Sequence, residues 1–243
     1  MKTERISYQG GSVGCSGALV YDDSVKTRRP LLLISPNWLG MSEPTLKRAA
    51  TIAGSKYIVF VADMYGEGKI CGGPPEAAPL ANGLRADSPE RRRRIVAALE
   101  TLRSESGKRG IGDPSRQAAA GFCFGGGNVL ELARAGADVA AVVSLHGDLL
   151  TPMPAKAGDI KAAVCIIHGA ADPVVPKNDR DAIEAEMTAA NAKWQMLTFG
   201  GLLHSFSEEE SDVPGIAKYD AGAARQSYAM LDGFVQAAFD RKL

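Results

Sequence analysis

The chain is short of the residues that mark several large classes of protein. Cysteine occurs only at positions 15, 71, 123 and 165 of 243 residues, with no C-x-x-C spacing, which argues against a disulfide framework and against a zinc site. Thiols scattered in this way fit a reducing cytoplasm. An excess of one charge is also missing: 28 Lys and Arg balance 28 Asp and Glu, so no long-range field draws the chain toward nucleic acid or an anionic membrane. No segment approaches the ~18 consecutive apolar residues of a membrane span. Met1-Lys2-Thr3-Glu4-Arg5 opens without the apolar core of a secretory signal. The expectation is a soluble, unexported, cytoplasmic protein, monomer or homodimer, whose partners are small molecules and neither nucleic acid nor membrane.

What is present suits one α/β domain over residues 1–243, long enough to bury a sheet under helices. Glycines and alternating apolar positions over residues 5–22 predict an antiparallel hairpin at a sheet edge. Apolar runs at 31–35, 57–62, 117–121, 139–145 and 162–167 read as buried strands, with 194–199 as the last. Helix signals lie between them: Ser42 before a segment ending at Gly54, Ser88-Pro89-Glu90 opening one through Arg103, residues 178–190, and residues 221–239 with Leu231, Phe234, Val235, Ala238 and Phe239 on one face. Alternation of this kind predicts a mostly parallel central sheet with helices on both faces.

The most informative stretch is Gly121-Phe122-Cys123-Phe124-Gly125-Gly126. An apolar strand leads into a cysteine between glycines and a helix start follows, the pattern of a sharp elbow that exposes a nucleophile. At a helix N-terminus the unsatisfied N–H groups and the macrodipole favour the thiolate, the form that attacks carbonyls. Asp172 and His204 each follow a predicted strand, and the chain order nucleophile, acid, histidine is that of the α/β-hydrolase arrangement. His146 and His168, at strand ends beside glycine, read as neutral hydrogen-bonded structural histidines. Gly125-Gly126-Gly127 lacks the G-x-G-x-x-G spacing, so no nucleotide or other cofactor is expected, and no metal.

With these blocks in place, the sequence resembles the dienelactone hydrolase family. The likeness runs through Val61-Ala62-Asp63-Met64-Tyr65-Gly66, Asp113-Pro114, the cysteine elbow, Ser144-Leu145-His146-Gly147, His168-Gly169 with Asp172-Pro173, and His204-Ser205-Phe206, all in order. The resemblance implies an α/β-hydrolase fold and hydrolysis of a small ester or lactone by Cys123, His204 and Asp172 through an acyl-thioenzyme. Backbone N–H groups of Phe124 and Trp38 would form the oxyanion hole, and Asn37, Tyr65, Arg85, Phe206 and Glu208 would line the pocket.

Two positions depart from the founding enzyme of that family. Asn37 stands where it has a glutamate that helps activate the cysteine, and an amide cannot act as a base. Glu208 stands near where it has an arginine that grips the substrate carboxylate, and an acidic residue repels that group. Arg85 lies near the place of a second arginine. Uncharged esters are therefore the expected substrates; the alternative enzyme is a thioesterase or carboxylesterase for uncharged substrates, and a ligand-binding α/β-hydrolase-fold protein without turnover is the reading from another class. Residues 66–85, with five glycines and three prolines, read as an irregular functional loop in the pocket wall. The run Arg91 to Arg94 reads as a solvated helix face.

Overall fold

The structure is a computed structural model that describes residues 1–243. Eight strands form one mixed sheet in the order β1-β2-β4-β3-β5-β6-β7-β8. The chain divides into two compact units, Met1–Ala119 and Ala120–Leu243.

In the first unit, β1 (Lys2–Gly10) and β2 (Val13–Tyr21) pair antiparallel from Lys2↔Tyr21 to Gly10↔Val13, the expected edge hairpin. Gly11 turns the chain at φ 59°, a conformation open to glycine at no steric cost. β3 (Arg29–Ser35) is buried throughout, and after α1 (Glu43–Ala53) it runs parallel to the equally buried β4 (Ile58–Val61). Strands buried on both faces read as continuous apolar runs, which is why both were legible. No helix is long and apolar enough to cross a membrane.

The predicted irregular stretch 66–85 is corrected here. It contains α2 (Pro74–Ala86). Pro74 and Pro75 occupy the first turn, where a missing N–H costs nothing, and the Gly73 carbonyl accepts from the N–H groups of Glu76 and Ala77. Ala77, Ala81 and Leu84 bury at helical spacing. The arginine run departs from expectation as well. On α3 (Ser88–Lys108), Arg91 is buried and Arg94 binds the Glu90 carboxylate and the Met64 carbonyl, so only part of the run faces water.

β5 (Gly112–Phe122) crosses into the second unit, which continues with α4 (Phe124–Arg134), β6 (Ala141–Leu145), β7 (Ala163–Gly169), α5 (Lys177–Ala189) and β8 (Trp194–Phe199). β6, β7 and β8 are mutually parallel. A short ribbon of β9 (Asp212–Val213) and β10 (Ala217–Lys218) precedes α6 (Ala221–Phe239), whose buried face runs from Ala223 to Val235. The Asp220 carboxylate caps α6 by accepting from Ala223 N–H at 2.8 Å.

Candidate active site

The centre of the candidate site is the junction of β5 and α4. Cys123 has φ 53° and ψ −122°, a left-handed backbone that costs a non-glycine residue about 1–3 kcal/mol and persists only when its surroundings hold it. The Cys123 N–H is shared between the Leu145 carbonyl at 3.0 Å and His146 Nδ1 at 3.2 Å. Glycine is required beside it because a Cβ on Gly126 would stand 2.6 Å from Gly147 Cα, closer than packed atoms approach. The elbow read from the sequence is therefore present, with Cys123 as the residue before α4 and the Phe124 amide in the helix's first turn.

His204 Nε2 lies 3.1 Å from Cys123 Sγ and His204 Nδ1 lies 2.7 Å from Asp172 Oδ2. All three side chains are buried. Asp172 is oriented from its other oxygen, where Oδ1 accepts the N–H groups of Val174 and Val175 at 2.8 and 3.0 Å. His204 is held by β10, since its N–H donates to the Ile216 carbonyl and its carbonyl accepts from Lys218. Burial opposes a charged His204, but the adjacent Cys123 and the Asp172 hydrogen bond outweigh it and hold the imidazole well above its usual range. The arrangement can carry a thiolate beside an imidazolium.

The other thiols lack this setting. Burial pushes Cys15 and Cys165 up to about 11 and raises Cys71, which keeps them protonated and unreactive near neutrality. His168 is buried, with Nε2 at 3.1 Å from the Val175 carbonyl, and burial lowers it, so it stays neutral behind Asp172. No group of three or more His, Cys, Asp or Glu side chains is placed to hold a metal ion.

Sequence reasoning passed over His146 as a neighbour of Cys123. Its Nε2 is 2.8 Å from Ser207 Oγ and 4.0 Å from a Glu208 carboxylate oxygen. Its ring meets His204 edge-on at 5.5 Å and Phe206 at 5.2 Å. The signal was available, since a residue directly after β6 emerges at the same carboxyl ends of parallel strands as Cys123 after β5, where α/β sheets place their sites. Phe206 and Glu208 are thus close to the buried histidines, and both are themselves buried.

Asn37, Trp38, Tyr65 and Arg85 belong to the first unit. Asn37 Oδ1 accepts the Leu39 N–H at 3.0 Å, and the Tyr65 hydroxyl donates to the Trp38 carbonyl at 2.9 Å. Both bonds fix the peptide plane between Trp38 and Leu39. Asp63 anchors Tyr65 in turn, its carboxylate accepting from the N–H groups of Ser16, Tyr65, Gly66 and Gly68. Arg85 lies on α2 and donates to Asn82 in the next turn back.

Comparison with known proteins points to one family. The sequence model of the dienelactone hydrolase family matches residues 16–239. The uncharacterized protein K02A2.1 of Caenorhabditis elegans is 36% identical over 152 residues, covering 60% of this chain and 92% of its own. A putative carboxymethylenebutenolidase of Salmonella typhimurium is 24% identical over 218 residues, 85% of this chain and 77% of its own. Among solved structures, a dienelactone hydrolase-like promiscuous phosphotriesterase from metagenomic libraries superposes with a TM-score of 0.88 at 32% identity over 98% of both chains.

Proposed function

The chain belongs to the dienelactone hydrolase family and is a hydrolase acting on ester bonds, and we propose that it cleaves small, uncharged esters or lactones through a Cys123-His204-Asp172 triad. The observation that carries this reading is the continuous buried chain of contacts, 3.1 Å from Sγ to His204 Nε2 and 2.7 Å from His204 Nδ1 to Asp172. The Cys123 thiolate attacks the carbonyl carbon and the carbonyl pair moves to oxygen, where the Phe124 N–H in the first turn of α4 stabilises it. His204 gives its proton to the departing alkoxide, leaving an acyl-thioenzyme. His204 then takes a proton from water, hydroxide adds to the thioester, and the thiolate leaves with release of the acid. Asp172 keeps the imidazole in the Nδ1–H form throughout.

The phosphotriesterase activity named for the metagenomic relative gives a second arm, because a thiolate with an oxyanion donor can also attack a phosphorus centre. Mixing the protein with an activated acetyl ester tests the main reading. We expect a burst of one alcohol per chain with an acetylated Cys123 by mass spectrometry, and no burst from Cys123→Ala, which keeps Cys15, Cys71 and Cys165. Steady hydrolysis by Cys123→Ala at the wild-type rate would overturn the proposal.

A further inference from the structure

A second histidine holds the nucleophile's own amide, and its chemistry is dictated by that bond. His146 Nδ1 faces the Cys123 N–H at 3.2 Å. An N–H donor requires a lone pair on Nδ1, so the ring proton of a neutral His146 sits on Nε2. That Nε2–H then donates to Ser207 Oγ at 2.8 Å. Glu208, buried with a carboxyl oxygen 4.0 Å from Nε2, places a further acceptor on the same side and favours the proton there. The ring is fully buried, edge-on to Phe206 and His204, so it has no room to turn over and exchange its two nitrogens. His146 is itself at φ 39°. Two left-handed residues, Cys123 and His146, are thus joined through one arm of a shared N–H, whose other arm is the Leu145 carbonyl at 3.0 Å; that second acceptor holds the amide in either tautomer, so the partner on Nε2, Ser207, decides which nitrogen carries the proton.

We infer that His146, with its tautomer set by Ser207, is a positioning residue that locks the strained Cys123 backbone so that Sγ and the following Phe124 amide keep the geometry needed for attack. The inference rests on the cysteine-hydrolase reading for its kinetic consequence but not for the tautomer itself. Two histidines therefore meet across this site in opposite roles. His204 exchanges protons with the reacting groups, and His146 is useful only while its Nδ1 lone pair remains unprotonated.

The test pairs spectroscopy with kinetics. Ring-nitrogen NMR of the isotope-labelled protein should show His146 neutral with its proton on Nε2, and Ser207→Ala should mix the two tautomers. In acylation kinetics Ser207→Ala should lower kcat about tenfold while KM stays within about twofold, because a displaced nucleophile loses attack geometry and not binding. His146→Leu should be at least as slow. Asparagine carries an acceptor at the position of Nδ1 and tolerates positive φ, so His146→Asn should recover most of that loss, and Ser207→Ala on top of it should change nothing further. Because leucine at positive φ can prevent folding, Ser207→Ala supplies the same test without altering that backbone. A proton on Nδ1, an effect on KM alone, or His146→Asn as slow as His146→Leu at equal urea midpoints would each overturn the inference. The NMR result stands whether or not Cys123 is acylated, so its failure is distinguishable from failure of the cysteine reading, which the missing burst of Cys123→Ala reports.

Discussion

At the scale of single residues, His204 sets the pH behaviour. Burial works against its charge, and Cys123 and Asp172 work for it more strongly, so its folded value lies well above the unfolded 6.5. In the proposed mechanism the charged form protonates the departing alkoxide, so kcat/KM should fall on the alkaline side only well above neutrality. Asp172→Asn removes the hydrogen-bonded anion, and the alkaline limb should move to lower pH. The stability linkage has the same sign: a group raised on folding contributes fully below its unfolded value, and that contribution is lost as pH rises through the folded one. Urea midpoints should therefore decline on the alkaline side in the wild type and decline less in Asp172→Asn. A pH-rate profile that Asp172→Asn leaves unmoved would show that Asp172 does not act on His204.

Among the elements, α4 carries the site because it is held at both ends. Its first turn is locked by glycine packing against Gly147. Its last residue, Arg134, is fully buried and binds Glu131 at 2.8 Å, Glu186 of α5 at 2.7 Å and the Leu149 carbonyl at 2.8 Å. Removing one partner of a buried ion cluster leaves uncompensated charge, so Arg134→Ala should destabilise the protein by about 3–5 kcal/mol in urea titration. The strands buried on both sides were legible as apolar runs, β1 and β2 were legible from alternation and β8 at Trp194–Phe199 although it is not fully buried, and α6 was legible at Ala221–Phe239 from its spacing alone. α2 was not, because its glycines and prolines dominate a local reading while the burial of Ala77, Ala81 and Leu84 becomes visible only once α3 is beside it. The β9 and β10 ribbon is two residues per strand and gives no periodic signal at all.

For the whole molecule, the charge balance of 28 against 28 leaves no field to steer a charged substrate. Turnover of a neutral ester should therefore stay constant between ~0.01 and ~1 M salt, as the Debye length falls from about 30 to about 3 Å. Under the proposed function, discrimination against anions is local. In the proposed pocket, a substrate carboxylate about 8 Å from an ionised Glu208 would meet about 2 kcal/mol of repulsion at an effective dielectric near 20, roughly a thirtyfold loss. We expect kcat/KM for an uncharged ester to exceed that of its carboxylate-bearing analogue by about this factor, and Glu208→Gln to narrow the gap. Because Glu208 is buried, salt should relieve the penalty little. Equal turnover of both compounds by the wild type would contradict this.

The sequence by itself determined the elbow, the order of Cys123, Asp172 and His204, and the strands that carry them, because backbone sterics and apolar periodicity act over a few neighbouring residues. That His204 reaches Cys123 across 81 positions, and that His146 and Ser207 close around the Cys123 amide, becomes visible only in the folded chain. The tertiary structure also turned the isolated residues Glu208 and Arg134 into buried groups with named neighbours. Hydrogen bonds and desolvation depend on distances between segments far apart in the chain, and parallel strands bring their carboxyl ends together only when the sheet has formed.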